Sequence, residues 1–273
     1  MDGARLDVLV PSSLVREAED GREATRKLGY VARAATVFRA DRLVVFPDGE
    51  GESDRGAEFV TTVLDYATTA PYLRQERWDR REELQHVGVL PPLLPDTSDP
   101  DGSELRDGIV TEVGPEGRVR VNCGMQHPIS LRTPPNRSVS EGERVTVRVS
   151  SREPVRAKLV DSPAVGLDVT RTDLADALAD AELAIATSRH GDELSVSELA
   201  SLTERTRDTD RVAVAFGSPG RGLPVILEYG DGPVEPTETR FDLWLNTVPN
   251  QGSEVVRTEE AMFASLGALS LPP

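Results

Sequence analysis

The amino-acid sequence predicts a mixed α/β fold in which a small β-barrel interrupts a larger α/β domain. Two patterns carry this prediction. At both ends of the chain, short apolar β-like runs alternate with segments of helical periodicity, which is typical of a parallel sheet with helices on its faces. In the middle, short runs of alternating apolar and polar residues are separated by turn residues, which favours a barrel. We therefore expect one discontinuous α/β domain, residues 1–96 and 163–273, with a barrel at 97–162.

The N-terminal part is predicted to run strand, helix, strand, helix. Leu6–Val10 is a strand candidate, and Val15–Ala40 follows with apolar side chains at helical spacing. Leu43–Phe46 is a second short apolar run. A polar loop leads from it into Ala57–Ala70, which returns to helical periodicity. Such alternation predicts neighbouring parallel strands joined by helices.

The central segment has a different character. Pro, Asp, Ser and Gly dominate from Leu90 to Gly108, which predicts a linker. Three alternating runs follow, Ile109–Val113, Val119–Val121 and Val145–Val149, with turn residues between them. Short strands joined by such turns are typical of a small barrel of the OB kind.

After residue 162 the α/β pattern resumes. Asp173–Ala181 and Val196–Thr206 are predicted helices, and Ser195 with Glu198 forms the pattern of a capping box before the second. Leu183–Ala186, between the two helices, is predicted to be a strand that ends where a polar stretch begins.

Two strand–loop units close to the C-terminus are the most informative feature. Val212–Phe216 breaks into Gly217–Gly222, and Phe241–Leu245 breaks into Asn246–Glu254, before the helix-like run Thr258–Leu269. Loops of this kind put irregular backbone at the carboxyl edge of a sheet, where ligands bind in open α/β proteins. Glycine lets the backbone approach a ligand and proline stiffens the loop. By spacing alone, two ordinary β–α turns would give the same pattern.

The composition limits the class of protein. The chain has 273 residues, enough for one large domain or two modest ones. It contains no apolar run of roughly 18 residues, so we expect no membrane span. Its N-terminus passes directly into a strand-like run, unlike a signal peptide. The single Cys123 cannot form an internal disulfide, which fits a cytoplasmic protein, and its spacing from the histidines matches no zinc pattern, so we expect no metal.

The charge balance is strongly acidic. The net charge is −16, with 47 acidic and 31 basic residues, and only Lys27 and Lys158 are lysines. Abundant acids with almost no lysine are typical of proteins from salt-loving microbes, in which negative charge maintains solubility. An acidic protein with a cationic partner is the alternative. The charge alone argues against nucleic acid, since phosphate contacts need Lys and Arg.

The predicted barrel is basic within this acidic chain. From residue 105 to 159, nine arginines and one lysine stand against six acids, a local charge of +4. Arg118, Arg120, Arg144 and Arg148 alternate with valines and should share one exposed strand face. A solvated sheet face is the simpler explanation. A basic island in so acidic a protein nevertheless favours contact with nucleic acid.

The loop sequences FGSPGRGL (216–223) and NTVPNQGSEVVRTEEA (246–261) resemble the last two motifs of the SPOUT, or α/β-knot, RNA methyltransferases. With LGYVARAATVFRADRLVVFPD (28–48), LAIATSRHG (183–191) and the β-rich segment, the resemblance covers nearly the whole chain. Within this family, the sequence resembles more narrowly the archaeal and eukaryotic branch that has an OB-like barrel inserted in its catalytic domain. It implies a trefoil knot that binds S-adenosylmethionine in a bent form.

The same resemblance implies which residues hold the cofactor. Backbone groups of three loops could read the adenine edge while apolar side chains contact the ring, and the start of the last helix or Glu259 could meet the amino-acid end. The implied residues are Thr187, Ser188, Arg189, Phe216, Gly217, Ser218, Gly222, Leu223, Leu245, Asn246, Val248, Gly252, Thr258, Glu259 and Ala261.

KLGYVAR, residues 27–33, resembles the first motif of the family, Asn-x-Gly-x-x-x-Arg. Arg33 falls on the family arginine that contacts RNA or helps to activate the acceptor, and Lys27 stands where many relatives have Asn. A helix-surface arginine is the structural alternative. No side chain stands out as a general base. Three histidines are candidates by type alone: His86, His127 and His190.

These observations predict an S-adenosylmethionine-dependent methyltransferase of RNA. The resemblance points to ribosomal RNA, with uridine N3 as a candidate position. It also points to a homodimer in which Arg33 lies across the interface, and the apolar helix at 261–271 favours such pairing. The alternative is a non-catalytic RNA-binding protein that keeps the knot fold as a dimer scaffold.

Overall fold

The computed structural model describes residues 4–49, 55–98, 102–135, 137–162, 165–228 and 240–271. The chain divides into two compact units. The first, the α/β unit, consists of Met1–Ala67, Glu83–Leu93 and Leu167–Pro273. The second, the barrel unit, consists of Thr68–Glu82 and Leu94–Gly166. Within the described ranges, no helix is both long enough and apolar enough to cross a membrane.

Helices and strands are numbered in chain order. The strands are β1 (Arg5–Pro11), β2 (Arg42–Phe46), β3 (Glu104–Val113), β4 (Arg118–Asn122), β5 (Ile129–Arg132), β6 (Arg144–Arg152), β7 (Val155–Val160), β8 (Asp168–Arg171), β9 (Leu183–Glu193), β10 (Arg211–Ala215) and β11 (Leu243–Asn246). The α-helices are α1 (Gly21–Val37), α2 (Ala57–Thr68), α3 (Arg74–Arg77), α4 (Leu174–Leu178), α5 (Val196–Arg207), α6 (Leu223–Ile226) and α7 (Thr258–Leu269). Short 3-10 helices lie at Pro71–Leu73, Glu82–Leu84, Val87–Val89 and Pro115–Gly117.

The α/β unit is built on a six-stranded sheet of order β11-β9-β10-β1-β2-β8, and each neighbouring pair runs parallel. Its central strands are apolar almost throughout because both faces of the sheet are covered. In β1, Val8 and Val10 face a cluster that includes residues of α1, α2 and α7. Leu9 faces a second cluster that includes Trp244. Since all the strands point the same way, their carboxyl ends lie along one edge of the sheet.

Local capping sets the limits of the helices. The predicted helix Val15–Ala40 starts later than expected, at Gly21, because the side chain of Asp20 accepts the N–H of Glu23 at 2.7 Å. The capping box predicted before α5 is confirmed, with Ser195 and the glutamate three residues later bonded in both directions. The last helix, α7, has the predicted bounds.

The barrel unit contains a five-stranded antiparallel sheet of order β5-β4-β3-β6-β7. Its edge strands β5 and β7 contact each other, so the sheet is nearly closed. The predicted combination of a parallel α/β sheet with a separate small barrel-like sheet is therefore confirmed. The inward-facing side chains form a buried cluster of Val110, Val119, Val121, Cys123, Leu131, Val145, Val147, Val149 and Leu159.

The barrel unit also differs from its sequence prediction. β3 begins at Glu104, so the last part of the predicted linker, Leu90–Gly108, is strand. β5 and β7 have no counterpart among the predicted strands, and β5, with 4 residues, is too short to show a period. The segment Thr68–Glu82 belongs to this unit as well, where the Tyr72 hydroxyl donates to the carbonyl oxygen of Asp107 at 3.0 Å.

Candidate functional site

A cleft lies at the edge of the α/β unit where β9, β10 and β11 present their carboxyl ends. Its walls are segments that interrupt or follow these strands, together with the start of α7. The lining residues are Thr187, Ser188, Arg189, His190, Phe216, Gly217, Ser218, Gly220, Arg221, Gly222, Pro224, Val225, Leu245, Asn246, Thr247, Val248, Gln251, Glu254, Val255, Val256, Thr258 and Ala261. The structure thus brings together three loops that are far apart in the sequence.

Most of the residues predicted to hold a cofactor line this cleft: Thr187, Ser188, Arg189, Phe216, Gly217, Ser218, Gly222, Leu245, Asn246, Val248, Thr258 and Ala261. Three predicted residues lie off it. Leu223 is fully buried in the core, and Gly252 is exposed with no atom near its Cβ position. Glu259 is also buried. Burial raises the pKa of its carboxyl group, while a hydrogen bond from its own backbone N–H and the charge of Arg257 act in the opposite direction.

The first wall is an excursion within β9. Ala186 pairs with Trp244, but the next residue of β11, Leu245, pairs with Asp192, so residues 187–191 bulge out of the ladder. A Cβ on Gly191 would lie 2.8 Å from the backbone of Leu245, and only glycine fits that approach. The predicted strand Leu183–Ala186 is therefore only the first part of β9, and the prediction that the strand ends at Ala186 is wrong. Residues 187–191 leave the pairing with β11, and the strand resumes it at Asp192.

The second wall is a tight turn after β10. The backbones of Ser218 and Arg221 exchange two hydrogen bonds of 3.0 Å each. Pro219 and Gly220 stand between them, the residue order of a type II turn, and Gly220 has a φ of +74°. A Cβ on Gly217 would lie 2.9 Å from a backbone nitrogen of the same loop. The loop therefore cannot accept a side chain at Gly217.

The third wall is the segment that leads from β11 into α7. Thr258, at the start of α7, donates its hydroxyl to the carbonyl oxygen of Gly217 at 2.8 Å and so ties the helix to the turn. The hydroxyls of Thr247 and Ser265 lie 2.7 Å apart and tie the loop to the same helix. The second and third walls are thus both tied to α7 by side-chain contacts within the α/β unit.

A buried polar network supports the turn from behind. The hydroxyl of Ser13 donates to Asp48 Oδ2 at 2.5 Å and lies 3.2 Å from the hydroxyl of Ser218. Ser12 Oγ accepts the backbone N–H of Asp48 at 2.9 Å. Arg221 Nη2 donates to Asp48 Oδ1 at 3.1 Å. These residues follow β1, β2 and β10, which are neighbours in the sheet. The sequence prediction missed Asp48, although an acid directly after a buried strand was a usable signal.

Arg33 and Lys27 both lie on α1 and do not line the cleft. The Arg33 guanidinium donates to the carbonyl oxygen of Leu93. Lys27 is buried and forms ion pairs with Glu17 at 2.6 Å and with Glu23 at 3.5 Å. Within one chain, Lys27 therefore links α1 to the segment before it, and Arg33 anchors the Glu83–Leu93 segment.

The four arginines predicted to share a strand face of the barrel unit do share one: Arg118, Arg120, Arg144 and Arg148. The register shows this because Ile109 of β3 pairs with Asn122 of β4 on one side and with Arg144 of β6 on the other. Paired residues of an antiparallel sheet point to the same face, and so do residues two positions apart along one strand. Asn122, Arg120 and Arg118 of β4 therefore share a face with Arg144 and Arg148 of β6.

The exposure of these arginines differs from the prediction. Arg118 and Arg120 are exposed, as expected. Arg144 and Arg148 are only half-exposed, so the expectation of a uniformly exposed face is wrong for them. Arg144 donates to the buried carboxylate of Asp107 at 2.6 Å, so its positive charge is paired with an acid of the same unit.

Arg132 extends the basic face and was missed by the sequence prediction. It lies directly opposite Arg118 across the β4–β5 pair, and both side chains are exposed. Neither has an ion-pair partner among the residues that the structure describes. Like charges placed opposite each other destabilise a sheet, so the pair is not explained by folding.

Of the three histidines, His190 lines the cleft, and Arg189 Nε donates to its Nε2 at 3.0 Å. His86 and His127 lie elsewhere. In the described part of the chain, no three His, Cys, Asp or Glu side chains come together as a metal site.

Comparisons with known proteins give relatives for the whole chain. A family model described as “Putative RNA methyltransferase” matches residues 5–269. An uncharacterized protein of Halobacterium salinarum is 63% identical over 97% of this chain and 98% of its own length. One of Haloarcula marismortui is 60% identical over the same shares. The human 28S rRNA (uridine-N(3))-methyltransferase is 29% identical over 97% of this chain and 77% of its own length. The similarity therefore spans both units.

Proposed function

The chain belongs to this family of RNA methyltransferases, and on that premise we propose that it transfers a methyl group from S-adenosylmethionine to a base of ribosomal RNA. The observation that carries the proposal is the cleft at the carboxyl edge of the sheet. Ligands bind at this edge in open α/β proteins. Three Gly- and Pro-containing segments converge there, and they contain most of the residues that the motif resemblance assigned to the cofactor.

The chemistry of the cleft fits such a methyl donor. Phe216, Leu245 and Val248 offer apolar contact for an adenine ring. Gly220 and Gly222 line the cleft without a side chain, so the backbone of this loop can approach the ligand closely. Arg221 lines the cleft with a side chain that is 17% exposed, and it bonds to Asp48 through Nη2, so its guanidinium can offer a further donor to an acidic group.

Methyl transfer requires the acceptor atom, the methyl carbon and the leaving sulfur to lie in line, so positioning dominates the chemistry. When bound, S-adenosylmethionine would supply a methyl group that its sulfonium makes electrophilic. The turn after β10 and the excursion of β9 would hold and orient the adenosine part. The apolar wall formed with Leu245 and Val248 would exclude water from it.

The named activity of the human relative suggests the acceptor. That protein is a 28S rRNA (uridine-N(3))-methyltransferase. We propose a uridine N3 of large-subunit ribosomal RNA as the acceptor of this chain. The salt-loving origin inferred from its charge is supported by the two relatives from halophilic organisms.

The proposal includes a fold class. We assign the α/β unit to the SPOUT trefoil-knot class and the residues from 97 to 162 to an OB-like insert between parts 1–96 and 163–273. The convergence of the excursion within β9 and the segments after β10 and β11 supports the knot, because a knotted cofactor site needs these segments side by side. The nearly closed five-stranded sheet supports the insert.

The basic face of the barrel unit is the proposed RNA contact. Arg118, Arg120 and Arg132 are exposed in a chain of net charge −16. A phosphate backbone would relieve the repulsion between Arg118 and Arg132, which is why the pair supports this assignment. Arg144 and Arg148 are half-exposed and would contribute less, because Arg144 is already bonded to Asp107.

A homodimer is the proposed assembly. Helix α7 is apolar around most of its circumference, and such helices are normally buried on all sides. Phe263 of α7 and Leu271 just beyond it nevertheless remain exposed, as do Tyr30 and Val37 of α1. Pairing through this surface would cover them. It would also allow Arg33 to act in the cleft of the second copy, which its position within one chain does not permit.

Isothermal titration with S-adenosylmethionine in molar KCl tests the donor. We expect one binding site per chain. Modification mapping of ribosomal RNA from a deletion strain tests the acceptor, and we expect one methylated uridine to disappear. A purified chain that binds RNA but not S-adenosylmethionine would overturn the proposal and favour a non-catalytic RNA-binding protein.

A further inference from the structure

We propose that Arg221, positioned by Asp48, binds an oxyanion in the cleft. The oxyanion is either the carboxylate of the methyl donor or a phosphate of the RNA. This inference rests on the proposed function, because it concerns the same cleft. An arginine fork suits either group, since its planar donors match two oxygens of a carboxylate or a phosphate.

Arg221 differs from the other arginines of the chain in its surroundings. It lines the cleft, its side chain is 17% exposed, and its Nε is buried with no hydrogen-bond partner among the described residues. Four further arginines have an unpartnered Nε, and none of them lines the cleft: Arg42, Arg55, Arg148 and Arg211. Arg189 also lines the cleft, but it is exposed and its Nε is bonded to His190.

Asp48 fixes Arg221 in place. The carboxylate is itself only 2% exposed; its Oδ2 accepts from Ser13 and its Oδ1 accepts from Arg221. Ser12 holds the Asp48 backbone. The acid can therefore hardly move, and it uses one guanidinium nitrogen and leaves other donors of Arg221 available. A side chain ordered before the ligand arrives loses little entropy on binding, so the geometry favours recognition over a structural ion pair alone.

The electrostatics agree with this assignment. Asp48 balances the charge of Arg221 while the cleft contains no ligand, so the buried guanidinium is not left uncompensated. Glu254 is the acidic residue of the cleft wall in the described structure, and it is exposed to solvent. An incoming oxyanion would therefore meet a fixed guanidinium with no buried carboxylate on the cleft surface to oppose it.

Titration with two nucleosides tests the carboxylate source. S-adenosylhomocysteine carries the amino-acid carboxylate, and 5′-methylthioadenosine lacks it. We expect Arg221→Gln to lower the affinity for S-adenosylhomocysteine by about tenfold or more. The affinity for 5′-methylthioadenosine should stay within about twofold of the wild-type value. Arg221→Lys keeps the charge and the pair with Asp48 but not the fork, and it should give an intermediate loss. Arg211→Gln is the matched control, because Arg211 also pairs with an acid and has an unpartnered Nε.

Filter binding to a large-subunit ribosomal RNA transcript tests the phosphate source. Weaker RNA binding by Arg221→Gln with both nucleosides unchanged would assign the oxyanion to RNA. Equal loss for both nucleosides would show that Arg221 only shapes the loop, and it would overturn the proposal. So would unchanged affinity for all three ligands. A wild type that binds neither nucleoside would refute the proposed donor, and with it the carboxylate source.

Asp48→Asn tests the positioning role. This change preserves the shape of the side chain and removes its charge. Like Arg221→Gln, it should therefore reduce the preference of the protein for S-adenosylhomocysteine over 5′-methylthioadenosine. In the double variant, the second change should add little, because the two residues act as one unit. Additive losses would mean that Asp48 does not act through Arg221.

Discussion

Replacing Gly222 with valine should separate ligand binding from folding. Gly222 lines the cleft, and its backbone angles, φ −67° and ψ 162°, suit any L-residue. A Cβ there would meet only Pro224, at 3.4 Å, so a side chain would occupy open space beside the cleft. We therefore expect the free energy of unfolding to change by no more than about 0.5–1 kcal/mol.

The affinity for S-adenosylhomocysteine should fall much more. The added methyl groups would take space at the wall that a bound nucleoside needs, and we expect a loss of at least about tenfold, which equals about 1.4 kcal/mol. Isothermal titration in molar KCl measures the affinity, and a thermal melt in the same buffer measures the stability.

Two further glycines provide the comparison. A Cβ at Gly217 would lie 2.9 Å from backbone, so Gly217→Ala should lower both the affinity and the stability, the latter by about 1–3 kcal/mol. Gly252→Val should change neither, because Gly252 is exposed and its Cβ position is open, although it belongs to the second motif, residues 246–261. A Gly222→Val protein that melts normally and binds with unchanged affinity would refute the cofactor assignment of the cleft.

Four other predictions follow from charge and burial. The melting temperature should fall as KCl is lowered from molar to tens of millimolar, because repulsion among the acidic side chains of this chain, with its net charge of −16, is then screened less. A melting temperature that does not depend on salt would contradict this. The double variant Arg118→Ser, Arg120→Ser should weaken RNA binding and leave the nucleoside affinity unchanged. The slope of log affinity for RNA against log salt concentration should become less steep by about one to two. Arg33→Ala should lower the single-turnover methylation rate more than the RNA affinity, and an equal loss in both would remove Arg33 from the active site. Burial raises the pKa of Glu259, so its ionised form destabilises the fold at neutral pH. Glu259→Gln should therefore raise the melting temperature there, and the gain should vanish as pH falls toward 4.5.

The elements that the sequence predicts well depend on local signals. Helix α7 has its predicted bounds, and α5 has its predicted capping box, because both are determined by residues a few positions apart. The buried strands β1, β2 and β10 are visible as short apolar runs for the same reason. The strand–loop breaks at Phe216 and at Leu245 placed most of the cleft residues correctly along the chain.

What the sequence could not show depends on pairing between distant segments. The excursion of β9 at residues 187–191 exists because β11 pairs on both sides of it. The contact of Asp48 with Arg221 joins residues that are far apart in the chain. The half-burial of Arg144 results from its bond to Asp107 on the neighbouring strand. Alternation alone had predicted that Arg144 would be exposed.

Transfer of labelled methyl groups tests the proposed function most directly. Ribosomal RNA from a strain that lacks this gene would be incubated with the purified protein and methyl-labelled S-adenosylmethionine in molar KCl. We predict that label enters one uridine of the large-subunit RNA, at N3, and that RNA from the parent strain accepts none. RNA bound by the protein with no label transferred, and no nucleoside bound in the cleft, would contradict the proposal.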